Sequence, residues 1–242
     1  MLPRLVRHRV DLWLKRLKWP VAFLAVLWTP LLCWAWVLLG YRIAGQPFSS
    51  LFFGAGFVLF FMAWKSILRY RSVWRWLMRA EHEATHLLFA ALTAHPIIGW
   101  RDHLHQRRET SESSKESVHF IGEGNWLIQV APYFFPTAAG ILWFTALFIP
   151  LGFLGWTTIA LGFATGFHVT STILEIRADR DELGELGWRF CWMFLPAANL
   201  LLLGCLLTFA QEGFSGIFHF LSDSWQPIRQ LIQLFQWQSP SD

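Results

Sequence analysis

His82-Glu83-Ala84-Thr85-His86 opens an apolar run, Leu87 to Ala94, and its reading decides how the rest of the chain is understood. The pattern is H-E-x-x-H. Residues four apart on a helix share a face, so two imidazoles at this spacing reach one tetrahedral zinc ion. Glu83, one position on from the first histidine, lies at the flank of that face. A carboxylate there takes a proton from water polarised by the metal. The residue types divide the chemistry between them, since neutral imidazoles hold the cation and the carboxylate is the base. The bland alternative is a pair of helical histidines bonded to backbone or to each other. Two histidines leave a zinc site short of a third protein ligand, so the remaining sequence has to supply one.

The setting is that of an integral membrane protein. Of 242 residues, 55% are apolar and only 15% are charged, against about 25% charged in soluble domains. There are 16 Trp and 23 Phe, and several apolar runs approach the ~20 residues a membrane span needs. The small positive net charge comes from basic residues beside these runs, where they orient the chain. It is not a nucleic-acid signal, and no nucleic-acid partner is expected. Cys33, Cys191 and Cys205 lie in apolar runs without Cys-x-x-Cys spacing and read as small buried hydrophobes.

Along the chain, residues 1–19 carry Arg4, Arg7, Arg9, Lys15, Arg16 and Lys18, with Leu2, Val6, Val10, Trp13 and Leu17 at helical spacing. This pattern predicts a basic amphipathic helix on the cytoplasmic face of the membrane. Residues 20–210 form the membrane domain. Its apolar segments are Val21 to Gly40, Leu51 to Trp64, the motif helix from about Ala80 to Ala94, Thr137 to Phe148, Gly155 to Leu174 and Trp188 to Ala210. His95-Pro96 ends the motif helix, and His95 reads as a capping or interfacial histidine. The polar stretch from Arg101 to Asn125 contains His103-Leu104-His105, read as part of a solvated loop. Ser117 to Ile121 and Trp126 to Val130 are expected to form a hairpin across Gly122-Glu123-Gly124. Pro132 and Pro136 then interrupt an apolar run, and broken backbone within a bilayer must be buried in protein or line a cavity. Residues 211–242 form an amphipathic tail. The expected fold class is an all-α membrane protein: a polytopic helical bundle of five to six spans, with a small polar hairpin and interfacial helices at both ends.

Thr158, Thr165, His168, Thr172, Glu175 and Asp179 follow one another at steps of seven, three, four, three and four, which is one helix face. Ionisable groups in such a helix usually face the protein interior. His168, with Glu175 as the alternative, is therefore the expected third metal ligand. Sharing an ion with His82 requires this helix to end on the same membrane side as the motif. A motif helix that dips in and returns achieves this, and it also gathers nearly all Lys and Arg on one side.

A zinc motif on a membrane helix, a polar stretch and then a proline-broken apolar segment together resemble the site-2 protease class of intramembrane metallopeptidases. His82, Glu83 and His86 match its first motif. Gly124-Asn125-Trp126-Leu127-Ile128 with Ala131-Pro132-Tyr133-Phe134-Phe135-Pro136 looks like the central segment of its smaller bacterial members, and the likeness covers roughly residues 55–200. The Leu-Asp-Gly motif of the class and its inserted peptide-binding domain are absent. The resemblance implies a Zn2+-dependent hydrolase that cleaves peptide bonds in or near the bilayer. Its substrate would be a transmembrane or membrane-proximal protein, its home a bacterial plasma membrane, with the N-terminus cytoplasmic. Glu83 would be catalytic. Asn125 or Tyr133 would bond the substrate backbone or the oxyanion. The competing reading is a non-enzymatic membrane protein whose metal site serves structure, sensing or transport.

Overall fold

The computed structural model describes residues 2–45, 47–66, 72–100, 118–120, 124–146, 148, 154–178 and 180–237. Helix α1 (Leu2–Gly45) is continuous over 44 residues and carries Pro20 and Pro30 internally. The basic N-terminal segment is therefore not a separate surface helix; it is the extension of the first apolar helix. Ala22, Ala25, Leu32, Ala35 and Leu39 are buried at steps of three, four and seven, a single face. That face packs mainly on α8 (Trp188–Glu212). The Trp36 indole anchors the pair by donating to the Leu200 carbonyl, 2.9 Å away.

Helix α2 (Pro47–Ser66) packs against α6 (Leu154–Ala178) more extensively than any other helix pair among the described residues. Glycine makes this possible. A Cβ on Gly56 would overlap the carbonyl of Ile159, one on Gly162 would overlap the carbonyl of Phe53, and one on Gly166 would press on the Phe60 ring. Small residues let helix backbones approach where lipid supplies no hydrophobic drive.

The motif lies on α3 (Ser72–Leu92). Strand β1 (Ile97–Trp100) follows and pairs antiparallel with β2 (Val118–Phe120). The expected hairpin between Ser117–Ile121 and Trp126–Val130 is thus corrected. The first segment pairs backwards with β1, and the second is a helix, α4 (Trp126–Val130). The reason is local: the Asn125 side chain accepts from the N–H groups of Leu127 and Ile128, an N-cap that starts a helix. His103 and His105 lie outside the described residues.

A 3-10 turn, Ala131–Tyr133, leads from α4 into α5 (Thr137–Ala146). The axis bends by 80° at this point, where Pro132 and Pro136 withhold backbone donors. Short α7 (Arg180–Leu186) joins α6 to α8. The tail forms two helices, α9 (Phe214–Ser224) and α10 (Gln226–Trp237). Helix α9 folds back on α8 through Gly213, at φ 66°. It buries Phe220 over Gly204, and Gly216 sits on the Thr208 carbonyl. It belongs to the bundle rather than to a surface layer.

The chain is overwhelmingly helical. Among the described residues, three helices are long and apolar enough to cross a membrane: Val6–Gly45, Gly155–Arg177 and Trp188–Glu212. The bent pair Trp126–Tyr133 and Thr137–Ala146 makes a fourth if it is one span. This is fewer than the five to six read from apolar runs. The apolar part of α2 is short, Ser50–Ser66, and α3 carries Arg75, Arg79, Glu81 and Glu83 in its first twelve residues. Substituting Gly162 by Leu should force α2 and α6 apart and lower stability by about 1–3 kcal/mol. Gly54→Ala, where a Cβ meets nothing within 4 Å, should leave the thermal midpoint of the detergent-solubilised protein nearly unchanged.

Candidate metal centre

The polar cluster forms where α3 meets α4, the bent segment, the C-terminal part of α6 and α7. His82 and His86 lie one turn apart on α3, their ring centroids 4.7 Å apart and their Nε2 atoms 3.0 Å apart. Each outer nitrogen has its own acceptor. His86 Nδ1–H donates to the Ile128 carbonyl of α4 at 2.9 Å, and His82 Nδ1–H donates to Glu175 Oε2 of α6 at 3.0 Å. With both Nδ1 atoms protonated, both Nε2 atoms present lone pairs to each other. Two acceptors cannot bond one another, so a cation between them, metal or proton, resolves the contact.

Glu182 of α7 completes the group. Its carboxylate lies 3.9 Å from His82 Nε2, and donor atoms of His82, His86 and Glu182 all lie within 4.8 Å of one another. Tyr133 holds that carboxylate by donating its hydroxyl to Oε2 at 2.9 Å, and its ring packs edge-on to His82. Two imidazoles and a carboxylate are a donor set that zinc accepts, and outer nitrogens bonded to a carbonyl and a carboxylate are what metal-binding histidines display. The residues fit a metal. Burial, with His82 nearby, holds the His86 imidazole down at about 3, so it stays neutral. Burial would also lower His82, but the hydrogen bond and charge of Glu175, with Glu182 and Glu83 beyond, raise it.

The other residues singled out from sequence are placed as follows. Glu83 is half-buried beside the cluster, and its charge is among those that raise His82. Glu175 grips the outer nitrogen of His82 rather than facing both histidines. His168 is fully buried deeper along α6, against Thr172 and the backbone of Phe134, and is not among the converging donors. It supports the bent segment. Asn125 is engaged at both ends, capping α4 and donating to Asp11 Oδ1 of α1 at 3.1 Å. Asp179 lies outside the described residues.

Two residues escape a reading of the sequence by motif and stripe. Glu182 continues the stripe, seven positions beyond Glu175 as Glu175 is beyond His168, so its periodicity is the available signal. Glu81 precedes the motif. Its Oε1 accepts the Ala138 N–H at the start of α5, and its Oε2 accepts from Ser171 of α6. Burial raises its carboxyl to about 7. Thr85 adds a second tie to α5 through a 2.5 Å hydroxyl contact with Thr137. No family model, curated protein or solved structure matches this chain.

Glu81→Ala should strand the Ala138 N–H and the Ser171 hydroxyl and destabilise the protein by about 1–3 kcal/mol. Glu81→Gln, which keeps an acceptor for Ala138, should recover most of the loss in a thermal melt.

Proposed function

We propose that this chain is a membrane-embedded zinc metallopeptidase, hydrolysing peptide bonds of membrane or membrane-proximal proteins. The observation that carries the reading is the pair of Nε2 atoms facing each other at 3.0 Å, with both Nδ1 atoms tied outward and a carboxylate closing the third side. His82, His86 and Glu182 would hold the ion. When bound, zinc supplies Lewis acidity that makes water a nucleophile near neutral pH and polarises a carbonyl.

The chain's own groups do the remaining work. Glu83 accepts the proton lost by the attacking water and returns it to the leaving amine. Glu175 orients His82, and the Ile128 carbonyl orients His86. Tyr133 holds Glu182 in place. Supporting a bilayer setting, the cluster lies where the basic N-terminal part of α1 meets the end of α7: Lys18 Nζ donates to the Leu186 carbonyl there. On this reading, the positive-inside rule makes that end of the molecule, and the N-terminus, the cytoplasmic side.

Purified full-length protein should contain one zinc per chain, lost in His82→Ala. Glu83→Gln should keep the zinc and lose at least about 100-fold of cleavage of a transmembrane test substrate. Zinc present with cleavage undiminished in Glu83→Gln refutes the mechanism, and zinc present with no cleavage in the wild type favours a sensing or structural metal site. Glu182→Gln should lose zinc more completely than Glu175→Gln. The reverse order would make Glu175 the third ligand.

A further inference from the structure

The N-terminal helix is joined to the cluster by a continuous run of hydrogen bonds. Asn125 Nδ2 donates to Asp11 Oδ1 at 3.1 Å. Asn125 Oδ1 accepts the Ile128 N–H at 3.2 Å and the Leu127 N–H at 3.1 Å. The Ile128 carbonyl accepts His86 Nδ1–H at 2.9 Å. The other oxygen of Asp11 lies 3.4 Å from His95 Nε2, just beyond the end of the helix that carries His86. His95 is buried, its Nδ1 against Thr93. One carboxylate on α1 thus bonds the residue that caps the element supplying the acceptor of His86, and lies beside His95, just past the helix that supplies His86 itself. Two neighbouring contacts fix the register of α1 here: the Trp126 indole donates to the Leu14 carbonyl at 2.6 Å, and Lys18 reaches Leu186.

We infer that Asp11 is a positioning residue for His86, acting through Asn125 and the first turn of α4 to keep the imidazole in its Nδ1–H tautomer with Nε2 aimed at His82. The inference rests on the metal-site reading above. Helix α4 is only five residues long and has little cooperative stability of its own, so its Ile128 carbonyl stays in place only if its cap is held from outside. Partners that orient a metal-binding histidine typically govern metal affinity by about 10–100-fold.

The test uses full-length protein in detergent with Co2+ as probe. Asn125→Asp retains an acceptor to cap α4 but sets two carboxylates against each other in place of the Asp11 bond. It should weaken Co2+ binding by about tenfold or more and alter the visible d–d bands. In metal-free protein, the imidazole 15N shifts of His86 should lose their Nδ1–H signature. Combining Asp11→Asn with Asn125→Asp restores a donor and an acceptor with the roles reversed, and should recover both readouts. Arg42→Ala breaks the ion pair between α1 and Asp223 at the far end of the helix and should move neither. If Asn125→Asp binds Co2+ like the wild type with the His86 tautomer intact, or the double substitution recovers nothing, the inference fails while the metal site stands. A wild type that takes up no Co2+ overturns both.

Discussion

Two imidazoles whose inner nitrogens face each other at 3.0 Å impose the constraint on which the surrounding architecture depends. Helix geometry brings the rings to one face but does not choose which nitrogen of each points inward. That choice is made by acceptors on other elements: a backbone carbonyl on α4 for His86 and a carboxylate on α6 for His82. A carbonyl can only accept, so it fixes the His86 tautomer outright. A carboxylate fixes the tautomer of His82 and also stabilises its cationic form. In the absence of metal the shared position between the rings suits a proton, which a metal ion would displace on binding.

The broken segment explains why α4 can serve this role. An unbroken span through residues 126–146 would commit the Ile128 carbonyl to the helix ladder. Here α4 ends after five residues, the 3-10 turn carries Pro132, and the axis bends by 80°. The Ile128 carbonyl is left facing α3. The same bend lowers Tyr133 onto His82 and Glu182, and Asn199 of α8 secures the turn by donating to the Tyr133 carbonyl at 3.1 Å. Glu81 and Thr85, on the side of α3 facing α5, tie the motif helix to the far arm of the bend. At the bend, the Tyr133 carbonyl has a partner in Asn199 and the Ala138 N–H one in Glu81, as irregular backbone within a bilayer requires.

Much of this is legible in the residues, and the limits have physical causes. The motif helix, its end at His95-Pro96, the kink at Pro132 and Pro136 and the polar face of α6 follow from spacing and from proline chemistry. The meeting of His82 with Glu175 follows from requiring both ends on one side. The hairpin is misplaced in the sequence because Trp126 to Val130 has the apolar make-up of a strand, and only the cap at Asn125 tips it to helix. The N-terminal segment reads as surface-lying, and the tail as either interfacial or packed on the bundle, because amphipathicity reports a buried face without naming what buries it. For α9 that partner is Gly204 and Thr208 on α8, and for residues 11–18 it is the cluster itself. Glu182 keeps the seven-residue step of the stripe beyond Glu175, but it lies past the apolar run, where a stripe read as part of a span is ended too soon.

Continuity of α1 has a mechanical consequence that a separate interfacial helix would lack. A helix lying on the bilayer is free to slide and roll, and its side chains keep no fixed height relative to the span. Joined without a break, α1 acts as a ruler. Trp36 is pinned to Leu200 and Lys18 to Leu186, and the eighteen residues between them span about 27 Å at the rise of an α-helix. Helix α8 runs beside it in the same direction, with Leu186 just before its start and Leu200 within it, so the two anchor points fix the register of α1 against it. Asp11, two turns beyond Lys18, is then delivered to Asn125 and His95 at a height set by the packing of Leu32, Ala35 and Leu39 deep in the bundle. The apolar core and the polar cluster are thereby one mechanical unit, and a change in how α1 seats against α8 is transmitted to the acceptor that orients His86.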